Sequence, residues 1–382
     1  MPIACRHKRE HGPLFCASDC PVNVPCGVFR YVRVENAAQL PPPDERAVDV
    51  AVLDMNYGWP NLGHDSLVHA VLDASCDLRE LLEEAGLYLR VLSFDVRAKG
   101  LIPEPPGGRF SVYIGTGGPG HLDPRLNRGD LPGSQGLDED PSWEAPLFAL
   151  FDAIAADHEA ALLAVCHTFG VMCRWSGVAE PRLRGPEKDG KSVGVRENVL
   201  TAAGRAHPWF QRFACELLDG RRLRILDNRL FDLVPHDEGL LRDAHGRLAV
   251  GYEWPRWPSH NALTMMEWAR DPGGVMPRIF GVNHHPEIVD RERQLLILEQ
   301  KRQTDGHLPA SWYEERIETL TRTFADEDTE RRLHITSDYT LLGPLRFHVQ
   351  RQVRRRAEAL GFEVDLREDR LHDEDAVGAG AR

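Results

Sequence analysis

Short valine-rich runs alternating with helical patterns constrain this chain most. ValAspValAlaValLeuAspMet at 48 to 55 is a brief apolar run of the kind that a buried strand shows. After a turn through Asn56 to Gly63, the residues Leu67, Val68, Val71, Leu72, Leu78, Leu81 and Leu82 recur at helical spacing up to Gly86. Strand-like segments follow at 87 to 94 and 110 to 114. Strand, helix and strand in alternation predict a parallel sheet with helices on its faces.

The same grammar recurs at the centre of the chain with one reactive residue added. A helix predicted from Trp143 to Ala156 leads into an apolar run, Ala160 to Val165, that ends at Cys166, and Thr168 to Trp175 reads as the start of another helix. A strand, a sharp turn and a helix place the central side chain at the carboxyl end of the strand, above a helix amino terminus whose dipole favours a thiolate. Cys166 is thus a candidate nucleophile, although a small buried hydrophobe fits the same pattern.

Two further segments end on chemistry-bearing residues. The strand at 110 to 114 runs into GlyThrGlyGlyProGly, 115 to 120, where glycines let backbone amides approach a ligand closely. No Gly-Lys-Ser or Gly-Lys-Thr follows and His121 to Pro124 does not read as a helix start, which argues against a P-loop. The Pro, Gly and Asp-rich stretch from Pro124 to Pro141 reads as a long surface loop. Further on, strands are expected at 193 to 200, 223 to 227, 247 to 253 and 278 to 282, the last delivering AsnHisHisProGluIle at 283 to 288. On an extended segment His285 and Glu287 share one face, so the carboxylate can orient the imidazole.

The 382 residues leave room for one large α/β domain with additions, or for two domains. A formal net charge of −13 argues against nucleic acid or an anionic membrane as main partner. The longest central stretch without formal charge, Ala160 to Cys173, falls short of the ~20 apolar residues that a membrane helix needs. No secretory signal pattern opens the chain, and Cys76, Cys166, Cys173 and Cys215 are scattered as reduced thiols would be, so a cytoplasmic protein is expected. Residues 1 to 46 form a first region with Cys5, Cys16, Cys20 and Cys26 beside His7 and His11, closed by a stiff ProProProAspGlu linker. Only Cys16 and Cys20 have the spacing of structural zinc ligands, so an irregular extension is favoured over a metal site.

Three of these motifs, in order, agree with one family. GlyThrGlyGlyProGly resembles the oxyanion loop of class I glutamine amidotransferase domains, AlaValCysHisThr resembles their nucleophile elbow, and HisHisProGlu is similar to their His-Pro-Glu signature. The stretch around 186 to 195 also resembles the family's segment after the nucleophile helix, and the resemblance spans residues 47 to 290. It implies a flavodoxin-like, doubly wound, mostly parallel α/β fold and a triad in which Cys166 attacks the side-chain amide of glutamine, His285 moves the proton and Glu287 holds the imidazole. It also implies an oxyanion hole at the backbone amides of Gly118 and His167, no cofactor, and ammonia delivered to an acceptor or partner protein. Gly117, His236 and Glu238 are candidate substrate contacts. His284 adjoins His285, and the Pro and Glu that follow favour His285 as the base.

Two positions depart from the family pattern. Thr168 stands where a glycine usually sits, which predicts a relaxed or repacked turn, and Gly170 replaces a glutamine that commonly binds substrate. Glutamine hydrolysis is therefore accompanied by two rivals: a cysteine hydrolase of a γ-glutamyl compound or other amide, and an inactive partner-binding domain. Residues 291 to 364 are expected to be a helical addition, with helices at 291 to 303, 311 to 324 and 345 to 360, the second opened by a Ser311 to Glu314 capping box. Residues 365 to 382 are expected to fray.

Overall fold

The computed structural model describes residues 27–58, 61–188, 190–217, 219–236, 246–255, 261–304, 310–324 and 326–362. The proposed thiol cluster at Cys5, Cys16, Cys20 and Cys26, the candidate Glu238 and the carboxy-terminal tail lie outside them. In chain order the elements that matter are β1 (Phe29–Val34), β2 (Ala47–Asp54), α1 (Leu62–Asp77), β3 (Tyr88–Asp95), β4 (Phe110–Gly115), α2 (Glu144–Ala156), β5 (Ala161–Val165) and α3 (His167–Ser176). They continue with β6 (Ala179–Leu183), β7 (Ser192–Leu200), α4 (Phe210–Glu216), β8 (Arg222–Arg229), β9 (Phe231–Pro235), β10 (Leu248–Trp254), β11 (Leu263–Arg270) and β12 (Pro277–Val282). Helices α5 (Arg291–Thr304), α6 (Ala310–Thr323) and α7 (Glu327–Ser337) follow, then a π-helical turn (Asp338–Leu342) and α8 (Gly343–Ala359).

Ten strands form one sheet in the order β1-β3-β2-β4-β5-β12-β11-β10-β7-β8. From β1 to β12 neighbours are parallel. The five strands β3-β2-β4-β5-β12 follow the doubly wound order of flavodoxin-like folds, with β1 added at the edge. Beyond β12 the sheet continues antiparallel through β11, β10, β7 and β8. Side chains of β2 alternate between two cores: Val48, Val50 and Val52 enter one, Ala51 and Leu53 the other. Two cores on opposite faces are what helices on both sides of a sheet produce.

Several elements depart from the sequence reading. The sheet starts before residue 47, because β1 pairs in register with β3, Phe29 opposite Leu89. Its charged residues Arg30 and Arg33 suit an edge strand and mask the apolar signal. The carboxy-terminal region is helical, but α8 is part of the main core, since Leu345, Val349, Val353 and Ala357 recur every fourth residue and pack with Leu67 and Val71 of α1. Ser311 lies inside α6, whose first described residue is Ala310, so the helix opens ahead of the capping box. The stretch from Pro124 to Pro141 is the mostly exposed loop expected, held at a few buried points. Asn127 and Leu137 are buried, and Glu139 accepts hydrogen bonds from Asn127 Nδ2 at 2.6 Å and Trp143 Nε1 at 2.9 Å.

Candidate active site

The carboxyl ends of β4, β5 and β12, three neighbouring parallel strands, carry the glycine loop, Cys166 and the His-Pro-Glu segment. Crevices beyond these strand ends are where open α/β sheets bind ligands. Cys166 caps α3 at φ 48°, ψ −98°, a conformation that side chains rarely adopt. Strain of this kind is characteristic of a nucleophile raised on a strand-to-helix turn. The surroundings hold it there: the Cys166 amide donates to Val282 of β12 at 2.8 Å, and the Gly170 amide donates to the Cys166 carbonyl at 3.0 Å.

Thr168 does not relax this turn. Its amide and its hydroxyl both donate to the Thr116 carbonyl, at 3.2 and 2.7 Å, which ties the elbow to the glycine loop. The methyl group lies where a Cβ on Gly115 would be, so a missing side chain in the loop makes room for the extra one in the elbow. Gly170 is likewise filled from outside: a Cβ there would lie 2.8 Å from Leu122 Cδ2. Leu122 therefore occupies the space beside the fourth residue after the cysteine.

The histidine that follows the cysteine's neighbouring strand completes the grouping. His285 Nδ1 and Glu287 Oε1 are 2.8 Å apart, both residues buried. A Cβ on Gly117 would come within 3.0 Å of His285 Cε1 and 3.6 Å of Cys166 Cβ, so the glycine, the thiol and the imidazole meet at one point. His285 Nε2 is buried without an aligned hydrogen-bond partner. Burial disfavours charge on this ring, but Glu287 and Cys166 more than offset it and hold its pKa well above the ordinary histidine range. His284 has the opposite fate. Burial, with His285 and Arg229 nearby, lowers its pKa to about 3, and its Nε2 lies 3.5 Å from Thr340 Oγ1. The carboxylate thus pairs with His285 and not with its neighbour.

Glu287 and the glycine loop are both braced from beneath. Gly63, in the first turn of α1, faces Glu287 so closely that a Cβ would lie 2.5 Å from Oε1, while Asn61 caps that helix at Gly63 and His64. Gly118 sits against the Met55 carbonyl, with no space for a side chain. Arg97, fully buried, donates to the Met55 and Pro119 carbonyls at 2.9 and 2.7 Å and pairs in a fork with Glu139. The His167 imidazole, pushed strongly toward neutrality by burial and by Arg97, hydrogen-bonds the Gly118 backbone. Gly118 and His167 are therefore neighbours, joined through the imidazole.

His236 stands apart. It is exposed at the end of β9, with its amide on Val178 at 3.2 Å and its charge felt by Glu180; none of its contacts among the described residues is with Cys166 or His285. In its place β8 brings two residues that the motifs did not reveal. Asp227 is buried, accepts from Ser192 Oγ at 2.7 Å, keeps Oδ1 without a partner and interacts electrostatically with His285. Arg229 lies 3.4 Å from Asp227 and 3.2 Å from Asp232, and its charge acts on Cys166. Alternating charges in an otherwise apolar strand, LeuArgIleLeuAspAsnArg, are the sequence signal that could have found them.

Among the described residues no group of three or more His, Cys, Asp or Glu is arranged to hold a metal ion, and no helix is long and apolar enough to cross a membrane.

No family model and no curated protein matches the sequence. Solved structures similar to it include SMU.1228c, at 16% identity and TM-score 0.40, covering 80% of this chain and 98% of that one. Another is a protein described as a GMP synthase subunit from Thermoplasma acidophilum, at 13% identity and TM-score 0.35, covering 70% and 98%. A third is the glutaminase domain of Trypanosoma brucei CTPS with bound acivicin, at 12% identity and TM-score 0.36, covering 67% and 94%.

Proposed function

We propose that this chain is a cysteine amidohydrolase of the glutamine amidotransferase type, with Cys166 as nucleophile, His285 as proton carrier and Glu287 as its orienting carboxylate. One observation carries the reading: a strained cysteine at a strand end stands against an imidazole that is locked by a buried carboxylate. Nδ1 engaged by Glu287 leaves Nε2 for the thiol, so the imidazole is placed to take the thiol proton as the sulfur attacks.

The chemistry follows from those positions. The thiolate attacks the amide carbon, and the carbonyl oxygen takes up the electron pair as an oxyanion that the amides of Gly118 and His167 are proposed to bind. Collapse breaks the C–N bond while the imidazolium gives its proton to the departing ammonia, leaving a thioester. His285 then takes a proton from water as the water attacks, and the acid and the free thiol are released. Delivery of the ammonia to an acceptor protein belongs to the same proposal, as does the reducing, cytoplasmic setting that a free thiol nucleophile suits.

The substrate has two readings. Glutamine is the first. The second, a γ-glutamyl compound or another amide, is favoured by Leu122, which fills the space beside Gly170 with an apolar side chain. Against an inactive partner-binding domain speaks the compensation between Thr168 and Gly115, which preserves the elbow despite its altered sequence. Full-length protein, alone and with lysate, is to be assayed for ammonia released from glutamine and for turnover of γ-glutamyl amides, beside Cys166→Ala. Turnover that disappears in the variant is expected; turnover unchanged in Cys166→Ala, or absent from both under all conditions, overturns the proposal.

A further inference from the structure

The segment that bears His285 is anchored at three points. Asn283 donates its amide to Thr264 of β11 at 2.8 Å, and His285 donates its own to Leu226 of β8 at 2.9 Å. The third anchor comes from the carboxy-terminal helices. The carbonyl of Pro286, the residue between the histidine and its carboxylate, accepts a 2.6 Å hydrogen bond from Ser337 Oγ. Ser337 is fully buried, so this bond does not compete with water.

The end of α7 is itself held in place. Thr336 Oγ1 donates to the Arg224 carbonyl of β8 at 2.7 Å, and Trp209 Nε1 donates to the Tyr339 carbonyl at 2.8 Å. The helix then widens into the π-helical turn Asp338–Leu342, which faces Thr340 toward His284. Single π turns within helices are rare and often mark functional positions. Resting on the triad reading above, we propose that Ser337 is a positioning residue for His285: its hydroxyl fixes the Pro286 peptide, and with it the angle at which the imidazole meets Cys166. The helices beyond the parallel sheet are then part of the catalytic apparatus. The groups facing His285 are Glu287 and His284 on its own segment, Cys166 from the β5–α3 turn, and Asp227 of β8.

The test needs no knowledge of the substrate. Alkylation of Cys166 in the full chain by iodoacetamide is followed from pH 5 to 9 by mass spectrometry of its peptide, for wild type, His285→Ala, Ser337→Ala and Val353→Ala. Wild type is expected to react faster than His285→Ala across the range, because the imidazole assists the thiol. Ser337→Ala is expected to lose about tenfold of the rate at the low-pH end, as misplacement of a catalytic group does. Val353→Ala, which opens the core at α8 without touching the segment, is expected to keep the wild-type profile. A wild-type profile in Ser337→Ala, or an equal loss in Val353→Ala, overturns the positioning role. If His285→Ala also keeps the wild-type profile, the triad reading falls with it; if only His285→Ala collapses, the triad stands and the role of Ser337 alone is lost.

Discussion

Thr168 and Gly115 share one space: the threonine methyl stands where a side chain on the glycine would be. The elbow and the glycine loop have therefore exchanged bulk, and neither residue can change independently. Gly115→Ala is expected to destabilise the protein by about 1–3 kcal/mol through overpacking. Thr168→Gly loses the buried bond to Thr116, yet the double variant is expected to recover part of the Gly115→Ala loss. Urea unfolding of the four proteins measures the coupling as a double-mutant cycle. Strictly additive effects would show that the two side chains do not compete.

The pair Arg97 and Glu139 fixes the loop that carries Gly118, and both side chains are fully buried. Arg97→Met keeps much of the volume but leaves a buried carboxylate whose charge nothing else neutralises, since Asn127 and Trp143 are its other partners. A loss of about 3–5 kcal/mol is expected. Denaturant midpoints provide the measurement, and a loss under about 1 kcal/mol would mean that Glu139 takes up a proton without disturbing the loop.

Stability should depend on pH with opposite signs at the adjacent histidines. His285 has a raised folded pKa, so its stabilisation is complete below the unfolded value of about 6.5 and fades as pH rises through the folded value. His284 and His348, with folded values near about 3 and about 4, bind protons only on unfolding. Each weakens the fold as pH falls below about 6.5, by up to tenfold in the folding constant per unit. Melting from pH 4 to 9 should show the alkaline loss vanish in His285→Gln and the acid loss diminish in His348→Gln. An unchanged acid limb in the latter would place that proton uptake elsewhere.

The parallel half of the fold was legible because strands buried on both faces read as continuous apolar runs, as in β2 and β5. Strands β1 and β6 were not, since Arg30, Arg33, Glu180 and Arg182 give them the polarity of loops while their pairing with β3 and β9 is long-range. In β11, LeuThrMetMetGluTrpAlaArg suits a helix as well as a strand. Cys166 stood out through the strand, turn and helix around it. His285 and Glu287 were expected on an extended segment but lie on a turn, closed by the Ile288 amide on the His285 carbonyl at 3.3 Å, and their grouping with Cys166 was implied only by the family resemblance. The places of Asp227 and Ser337 follow from tertiary packing, which no local pattern encodes. The turn at Thr168 was expected to be relaxed or repacked; it is repacked, and the compensating absence of a side chain lies 53 positions upstream, at Gly115, where no local pattern points to it.

Substrate choice should be governed by Leu122. Its side chain closes the space beside Gly170, so Gly170→Gln alone forces an overlap and is expected to lower the melting temperature. Leu122→Ala opens that space, and the double variant Leu122→Ala with Gly170→Gln sets an amide about one helical turn beyond Cys166. An amide there can hydrogen-bond a polar substrate where the leucine offers only apolar contact. Such a change is expected to shift kcat/KM toward free glutamine, relative to a γ-glutamyl anilide, by about tenfold. The comparison is valid only if the double variant melts near the wild type. Given that, a ratio within about twofold of the wild-type value would mean that the leucine packs the loop without touching the substrate.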